Sequence, residues 1–460
     1  MPHMRPTLSK GFLLPEFVRS STAPARLPTF HTCVGANEEL LTPQWYEEHV
    51  VSVDVGHKTL STASGETIHY QTLIIATGAQ VLKLEEFRVS GSEAGNICYL
   101  RDLADANRLV NVIRSCTSGS AVVIGGGYLA MECAASLVSN KMDVTMVFPE
   151  AHCSEYLRFF TEHGFFEKIR ITGTCYVVVP RLFTPKIATY YEDYYQSRGV
   201  KFIRGTIPSS FEFDSNGKVT AVNLRDGNRI PADMVVVGIG IGPNTSLFNG
   251  QFTMEKGGIK VNGKFQTSDS SVYAVGDVAV FPIDLYGRIH RLEHVDSARK
   301  SAKHAIAAIL EPDKTGQFEY LPLFYSKAFA FFWRFYGDNA GEAVHFGDYS
   351  GTTFGAYWIN NGRLVGSFLE GGTEQEFEAI ANATRIKPAV DDPADVGRQG
   401  SSFALNVSEK TKPQTPRIEG ETCSLVLEPT VYAWHATAGV VLAASVSAFA
   451  YWYGRRRRRW

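Results

Sequence analysis

Residues 118–150 read SGSAVVIGGGYLAMECAASLVSNKMDVTMVFPE, a strand–turn–helix–strand sequence that decides the fold class. Ala121–Ile124 is a short apolar run, typical of a buried parallel strand. A GxGxxG/A pattern follows it and opens a helix that is predicted to end near Ser139. A second strand is predicted at Asp143–Val147. We therefore expect an α/β unit that binds a dinucleotide.

The glycine turn predicts a site for NADH. Its glycines permit a tight turn and let backbone N–H groups approach a pyrophosphate, which also lies at the positive end of the helix. Glu150 follows twenty residues after Ala130, where an acid accepts hydrogen bonds from the adenosine ribose and repels a 2′-phosphate. The alternative is a glycine-rich turn without a ligand. The expected cofactor-binding residues are Gly125, Gly126, Gly127, Tyr128, Leu129, Ala130, Met131, Glu132 and Glu150.

Segments on either side of this unit predict a second dinucleotide. TLIIATG, residues 72–78, reads as a buried strand that ends in a turn of small residues, and residues 267–277 end another strand in Gly276-Asp277. Each could be an ordinary strand end. Flanking an NAD pattern in this order, they resemble flavoprotein reductases with two dinucleotides, in which Asp277 would bind the ribityl chain of FAD. Residues 233–240 supply a strand and the glycine turn, with Gly240, that close the NAD region.

The C-terminal thirty residues predict a membrane anchor. Val431–Tyr453 is apolar and is followed by Arg455–Arg459, and a helix of this length spans about 30 Å, enough to cross a hydrocarbon core. Aromatic residues near its ends favour the membrane interface. The alternative is a buried core helix. Residues 387–429, rich in Pro, Ser, Thr and acids, are expected to be a flexible tether.

Composition excludes several other classes. The net charge is −2 and the only basic block is the tail, so nucleic acid is not an expected partner. Seven cysteines are scattered without a CxxC pair, which argues against a disulfide framework, a zinc site and a redox dithiol. We expect no metal. The first residues, MPHMRPTLSKGFLLPEF, lack the long apolar region of a secretory signal.

Several motifs make the resemblance more specific. RPTLSKGFL (5–13), YLRDLADA (99–106), VVIGGGYLAMECAA (122–135), EHVDSARKSA (293–302) and LPLFYSKAFAFFWRFYGD (321–338) are similar to plant monodehydroascorbate reductases. The resemblance covers nearly all of residues 4–384, and the tail resembles that of peroxisomal-membrane forms. It implies hydride transfer from NADH to FAD, followed by two one-electron transfers that reduce monodehydroascorbate radicals to ascorbate.

The same resemblance assigns roles to individual residues. It implies that Arg299 binds ascorbate, as a fixed cation suited to an anion, and that Tyr325 is an active-site tyrosine. Alone, Arg299 would read equally as a surface ion-pair residue and Tyr325 as a core aromatic. The further cofactor-binding residues implied are Arg5, Lys10, Arg101 and Asp102 for FAD, and Arg181, Gly240, Glu293, His294 and Val295 near NAD or flavin.

The chain also departs from the family. The strand–GxGxxG–helix unit that binds the FAD pyrophosphate would precede residue 1, so this sequence alone is expected to bind FAD poorly. Residues 154–180 form an atypical aromatic-rich insertion, and Gly242 stands where the family usually has arginine. An incomplete or mis-spliced gene model would explain the missing unit and the insertion, and an isoform without flavin is the alternative.

We therefore predict an α/β flavoprotein reductase fold with two dinucleotide-binding domains. The FAD domain (1–115 and 246–309) is split by an NAD-binding domain (116–245), and a smaller α+β domain (310–384), a linker (385–430), a transmembrane helix (431–453) and a basic tail (454–460) follow. The expected location is the peroxisomal membrane, with the mitochondrial outer membrane or endoplasmic reticulum as alternatives. Two other functions stay open: reduction of a ferredoxin-type protein, and a catalytically silent NAD-binding membrane protein.

Overall fold

The computed structural model describes residues 33–34, 40–41, 49–89, 91–154, 182–351 and 353–410. Contacts divide the chain into two units, Met1–Lys410 and Thr411–Trp460, and the second lies wholly outside the described residues. The predictions for Arg5, Lys10, Arg181, the bulk of the insertion, the membrane anchor and the tail also lie outside them. Within the part of the chain that is described, each helix is too short or too polar to cross a membrane.

The helices and strands are numbered in chain order. The described helices are α1 (Leu103–Ser115), α2 (Tyr128–Ser139), α3 (Pro185–Ser197), α4 (Val295–Leu310), α5 (Glu374–Ile386), α6 (Pro393–Gln399) and α7 (Ser401–Lys410). The described strands are β1 (Cys33–Val34), β2 (Leu40–Leu41), β3 (Val50–Asp54), β4 (Thr59–Thr62), β5 (Thr67–His69), β6 (Leu73–Ile75), β7 (Ala79–Val81), β8 (Ile97–Cys98), β9 (Ser120–Ile124), β10 (Asp143–Phe148), β11 (Lys201–Arg204), β12 (Pro208–Phe213), β13 (Val219–Leu224), β14 (Arg229–Pro231), β15 (Met234–Val237), β16 (Ile241–Pro243), β17 (Met254–Glu255), β18 (Gly258–Lys260), β19 (Val272–Ala274), β20 (Ala279–Ile283), β21 (Arg288–His290), β22 (Leu323–Ala328), β23 (Phe331–Gly337), β24 (Glu342–Gly347), β25 (Phe354–Asn360) and β26 (Arg363–Glu370).

A five-stranded parallel sheet carries the predicted NAD unit. Its strand order is β11-β10-β9-β15-β8, with β9 between β10 and β15. The four apolar residues of β9 are buried, because helices or loops cover both faces of such a sheet. Helix α2 begins directly after the glycine turn and ends at Ser139. The strand–turn–helix–strand prediction is therefore confirmed.

The two flanking strands pair with each other. Strands β6 and β19 are parallel, with Leu73 opposite Val272 and Ile75 opposite Ala274. Because parallel strands share one carboxyl edge, the turns that follow them, at Thr77–Gly78 and at Gly276–Asp277, lie side by side. The two segments that the sequence places on either side of the NAD pattern thus meet in the fold.

The C-terminal part is an antiparallel sheet covered by helices. Strands run in the order β22-β23-β26-β25-β24, and α5 packs its buried face, including Phe377 and Ile380, against them. Helix α5 begins with a capping box in which Thr373 and Glu376 satisfy each other's backbone N–H groups.

The tether prediction is wrong for the segment between α5 and Lys410. This segment pairs Ala389 with Arg363 and then forms α6 and α7. The hydroxyl of Tyr357 donates to the carbonyl of Gly400 at 2.9 Å, and Ala404 is fully buried. This polar segment contains few apolar residues. They suffice for two short helices because the C-terminal sheet and α5 supply most of the apolar surface against which α6 and α7 pack.

Candidate functional site

The glycine turn between β9 and α2 has the shape that a pyrophosphate requires. Gly125 has φ +123°, and a Cβ there would overlap the carbonyl oxygen of Gly238. A Cβ on Gly126 would lie 2.9 Å from the ring of Phe148. At Gly127, the N-cap of α2, no described atom lies within 4 Å of where a Cβ would be. This open helix N-terminus fits an anionic nucleotide, so the residues present are suited to NAD.

Glu150 lies at the carboxyl end of β10, where the acid of a dinucleotide site belongs. It follows β10 by two residues and is partly buried. The loop that carries it is held to the glycine turn, because the backbone N–H of Ser154 donates to the carbonyl of Gly126 at 2.8 Å. Gly240, with φ +115°, follows β15 and accepts a hydrogen bond from the backbone N–H of Leu82 at 3.0 Å.

Side chains of the first turns of α2 contact protein groups. Ala130 packs against Gly238, and Met131 is 4% exposed and belongs to the core. The ring of Tyr128 meets Trp333 edge-on at 6.1 Å between centroids. Glu132 accepts a hydrogen bond from the hydroxyl of Ser326. For these residues and partly buried Leu129, a cofactor role through the backbone stays a prediction.

The turn after β19 contains a buried ion pair. The side chain of Asp277 is 1% exposed, and one guanidinium nitrogen of Arg101 lies 2.8 Å from its Oδ2. Arg101 also donates from Nε to the carbonyl of Ala79 at 2.7 Å. Asp102 is the N-cap of α1 and accepts from the backbone N–H of Asp105. The structure therefore places Arg101 and Asp102 at the edge of the predicted flavin site, engaged with protein groups.

Sequence reasoning missed Arg291, which has a completely buried side chain at the same place. Its guanidinium contacts the carboxylate of Glu293 and donates to the carbonyl of Asp277 at 3.4 Å. Arg291 joins the turn after β19 to the segment that begins α4. The only local signal was an arginine two residues before an acid, which is too common to single out a site.

Helix α4 begins at the residues that are predicted to lie near the nicotinamide, Glu293 and His294, and beside the flavin, Val295. His294 is its N-cap and accepts a hydrogen bond from the backbone N–H of Asp296 at 3.3 Å, and Val295 is its first residue. Burial lowers the pKa of His294 from 6.5 to about 4, although Asp296 and Asp277 oppose this shift. His294 is therefore neutral at pH 7.

Tyr325 and Arg299 lie beside this helix start. The ring of Tyr325 meets His294 edge-on, with 4.9 Å between centroids. Burial raises the pKa of Tyr325, Glu132 adds to this, and Arg299 opposes it with its positive charge. Arg299 is exposed, and among the described residues nothing forms a hydrogen bond or ion pair with it. An accessible cation next to a partly buried tyrosine is suited to a small organic anion.

The described residues contain no group of His, Cys, Asp and Glu side chains that could hold a metal ion. Cys98, Cys116, Cys133 and Cys153 are free thiols. Burial raises the pKa of Cys98 and of Cys133 to about 12, so neither is a thiolate at neutral pH.

Comparisons with known proteins agree with this geometry. Residues 1–304 match the pyridine nucleotide-disulphide oxidoreductase family, and residues 321–404 match the family described as monodehydroascorbate reductase 3-like, C-terminal domain. The chain is 60% identical to monodehydroascorbate reductase 4, peroxisomal, of Arabidopsis thaliana, over 100% of the chain and 91% of that protein. It is 57% identical to monodehydroascorbate reductase 2, peroxisomal, of Oryza sativa subsp. japonica, with the same coverage.

Solved structures support the fold. The putidaredoxin reductase–putidaredoxin complex is similar with a TM-score of 0.67 and 27% identity, over 78% of this chain and 80% of that one. A ferredoxin reductase for the CYP199A2 system of Rhodopseudomonas palustris gives a TM-score of 0.70 at 24% identity, over 89% of this chain and 90% of that one.

Proposed function

Because the chain belongs to the monodehydroascorbate reductases, within the pyridine nucleotide-disulphide oxidoreductase family, we propose that it reduces monodehydroascorbate radical to ascorbate with NADH and FAD. The observation that carries the proposal is the position of Tyr325. Its ring contacts His294 at the start of α4, and the charges of Arg299 and of Glu132, on the helix after the glycine turn, act on its pKa. These neighbours support a site for a small anion next to the predicted NADH site.

The described residues fit one side of a flavin site. The paired turns after β6 and β19, with Gly276 at φ +71° and buried Asp277, would hold its ribityl and phosphate region. Bound FAD supplies a carrier that takes two electrons together and releases them singly. We further propose that the residues holding it come from both sides of the NAD region, from 1–115 and from 246–309.

The chain's own residues bind, orient and shield the reactants. The glycine turn and the N-terminus of α2 bind the pyrophosphate of NADH, and Glu150 accepts hydrogen bonds from its adenosine ribose. Neutral His294 and the ring of Tyr325 exclude water without adding charge. Arg299 binds the substrate anion. One NADH and one proton reduce two radical anions to two ascorbate anions. Each step at the radical is a one-electron transfer, and the product takes its proton from water, so a general acid–base pair is unnecessary.

The test compares two electron acceptors. The full chain is purified in detergent, and its visible spectrum is recorded for flavin bands that NADH bleaches. NADH oxidation is then followed with each of two acceptors, which are the radical, generated by ascorbate oxidase, and ferricyanide. Arg299→Ala is expected to raise KM for the radical by at least about tenfold while ferricyanide reduction is kept. Lys303→Ala, one turn further along the exposed face of α4, is the matched control and should change neither activity.

Two results would contradict the proposal. Equal loss of both activities in Arg299→Ala would remove Arg299 from the substrate site. The proposed activity itself would be contradicted if the unsubstituted, flavin-loaded chain oxidised NADH at the same rate with and without the radical. The chain would then be tested for reduction of a ferredoxin-type protein, the second candidate, which the similarity to the putidaredoxin reductase complex favours.

We also propose that the enzyme is anchored to the peroxisomal membrane by residues 431–453 and the basic tail. The apolar length of this segment and the peroxisomal names of the two relatives from Arabidopsis thaliana and Oryza sativa support this location. Alkaline carbonate extraction of peroxisomes should leave the full chain in the membrane and release a chain that ends at Thr430. Release of both would contradict the anchor.

A further inference from the structure

A buried carboxylate on α3 receives donors from two segments next to the predicted ribose site. The side chain of Glu192 is 3% exposed. The backbone N–H of Cys153 donates to its Oε1 at 2.6 Å. A guanidinium nitrogen of Arg204 lies 2.7 Å from its Oε2, and Nδ1 of His152 lies 3.3 Å from the same oxygen. Glu192 therefore joins the loop after β10 to the end of β11.

Both of these segments border the ribose-binding position. The loop after β10 contains Glu150, two residues before His152. Arg204 is the last residue of β11 and is directly opposite Phe148, the last residue of β10. Neighbouring strands are about 4.8 Å apart. The backbone of Arg204 therefore lies about this distance from the end of β10, where the loop that carries Glu150 starts.

An arginine near this position has a definite chemical consequence. In dinucleotide sites an acid selects the free ribose of NADH, whereas a nearby arginine accommodates the 2′-phosphate of NADPH. The side chain of Arg204 is 35% exposed, so it is accessible, yet its charge is matched by Glu192. A guanidinium that is already paired with a carboxylate binds a second anion less well.

We infer that Glu192 is a positioning residue that sets the choice between NADH and NADPH. It holds the loop of Glu150 through the backbone of Cys153, and it neutralises Arg204, which would otherwise bind a 2′-phosphate. This inference rests on the proposed use of NADH and adds how the preference is maintained. The side chain of Glu192 is 3% exposed, so it would act through Cys153 and Arg204.

The experiment measures binding and needs neither flavin nor turnover. Dissociation constants of ADP-ribose and of 2′-phospho-ADP-ribose are measured by titration calorimetry on the full chain in detergent. Glu192→Gln keeps an oxygen for the N–H of Cys153 and removes the charge that faces Arg204. We expect the ratio of the two constants to move toward the 2′-phosphate by about tenfold, or ~1.4 kcal/mol. Glu192→Gln combined with Arg204→Gln should return the ratio to that of the unsubstituted chain.

A matched pair elsewhere in the fold supplies the control. Glu212 and Arg229 form an exposed ion pair between β12 and β14, and Glu212→Gln should leave both constants unchanged. A purely structural role for Glu192 would weaken both ligands equally and leave the ratio constant. Where the glutamine variant does not fold, Glu192→Asp, which keeps the charge but shortens the reach to Arg204, should give a smaller shift in the same direction, and Arg204→Gln should abolish it.

Each outcome decides the inference. A shift that Arg204→Gln abolishes supports it. An unchanged ratio, or a shift that persists without Arg204, overturns it and leaves the proposed enzyme intact. Failure of the unsubstituted chain to bind ADP-ribose overturns the NADH site itself, and the inference with it.

Discussion

Gly125 and Gly127 lie two residues apart but are glycines for different reasons. A side chain on Gly125 would overlap the backbone of Gly238 and would require a positive φ, whereas a side chain on Gly127 would point into space that no described atom fills. Gly125→Ala should therefore destabilise the fold by about 2 kcal/mol or more. Gly127→Ala should change stability by less than about 1 kcal/mol yet raise KM for NADH at least about tenfold, because its methyl group blocks the pyrophosphate.

Thermal unfolding and NADH titration of the two variants separate these effects. Equal thermal stability of both variants would show that the overlap at Gly125 is relieved by backbone movement. Unchanged NADH binding in Gly127→Ala would move the pyrophosphate away from the N-terminus of α2.

His294 makes the free energy of unfolding depend on pH. Its pKa is about 4 in the fold and 6.5 ordinarily, so below pH 6.5 the unfolded chain binds a proton that the folded chain rejects. Stability therefore falls as the pH drops from 6.5 toward 4. His294→Asn keeps an N-cap residue and removes this proton. Between pH 7 and 5 the variant should lose about 2 kcal/mol less stability than the unsubstituted chain.

Urea unfolding of both proteins at pH 7 and pH 5 measures this difference. His290, whose pKa burial also lowers to about 4, is present in both and cancels. Identical pH dependence in the two proteins would mean that His294 is solvated in the folded state.

At the scale of elements, α6 and α7 belong to the folded body although their sequence looks like a linker. Ala404 and Val396 are buried, and the hydroxyl of Ser401 donates to Glu376 at 2.7 Å. A chain that ends at Lys410 should keep the melting temperature of the full chain. A chain that ends at Lys387 should melt at least about 4 °C lower, since it exposes the faces of α5 and β24 that these helices cover.

Differential scanning calorimetry of the two truncated chains tests this expectation. Equal melting temperatures would show that α6 and α7 add nothing to stability, and the tether would then begin at residue 387.

At the scale of the whole described body, a buried hydrogen bond connects α3 beside the NAD sheet to the C-terminal sheet. The hydroxyl of Tyr191 donates to the carboxylate of Glu370 at 2.5 Å, and both side chains are nearly inaccessible. Tyr191→Phe removes one donor from a buried acid and should cost about 2 kcal/mol. Tyr190→Phe is the control, because its hydroxyl donates at 3.2 Å to the carbonyl of Gly351 at a partly buried position and should cost less than about 1 kcal/mol.

Chemical denaturation of the two variants measures the contact. Tyr191→Phe combined with Glu370→Gln should recover part of the loss, because an amide needs fewer donors than a carboxylate. Equal costs for Tyr191→Phe and Tyr190→Phe would contradict a special role for the buried pair.

The local parts of this protein could be predicted from its sequence. The glycine turn, the helix after it and the strands on both sides are each encoded within a few consecutive residues. A positive φ, the period of apolar residues and the preference for a cap all depend on residues that are close in sequence. The sequence also singled out Asp277, because Gly276-Asp277 follows directly after a predicted strand. The predicted roles of Tyr325 and Arg299 came from the family resemblance, because neither residue has a local signal of its own, and their closeness to His294 came from the structure.

Which side chains pair with one another was decided by the tertiary structure alone. Arg101 and Asp277 are 176 residues apart, Ser326 and Glu132 are 194 apart, and Arg204 meets Glu192 across α3 and β11. Burial selects such pairs, since a charge taken out of water needs whichever opposite group the topology brings near. Tertiary packing also explains α6 and α7. These segments have few apolar residues and form helices only against a surface that residues distant in sequence build. The sequence alone predicted where a dinucleotide would bind, and packing determined which side chains near that position are paired with other protein groups.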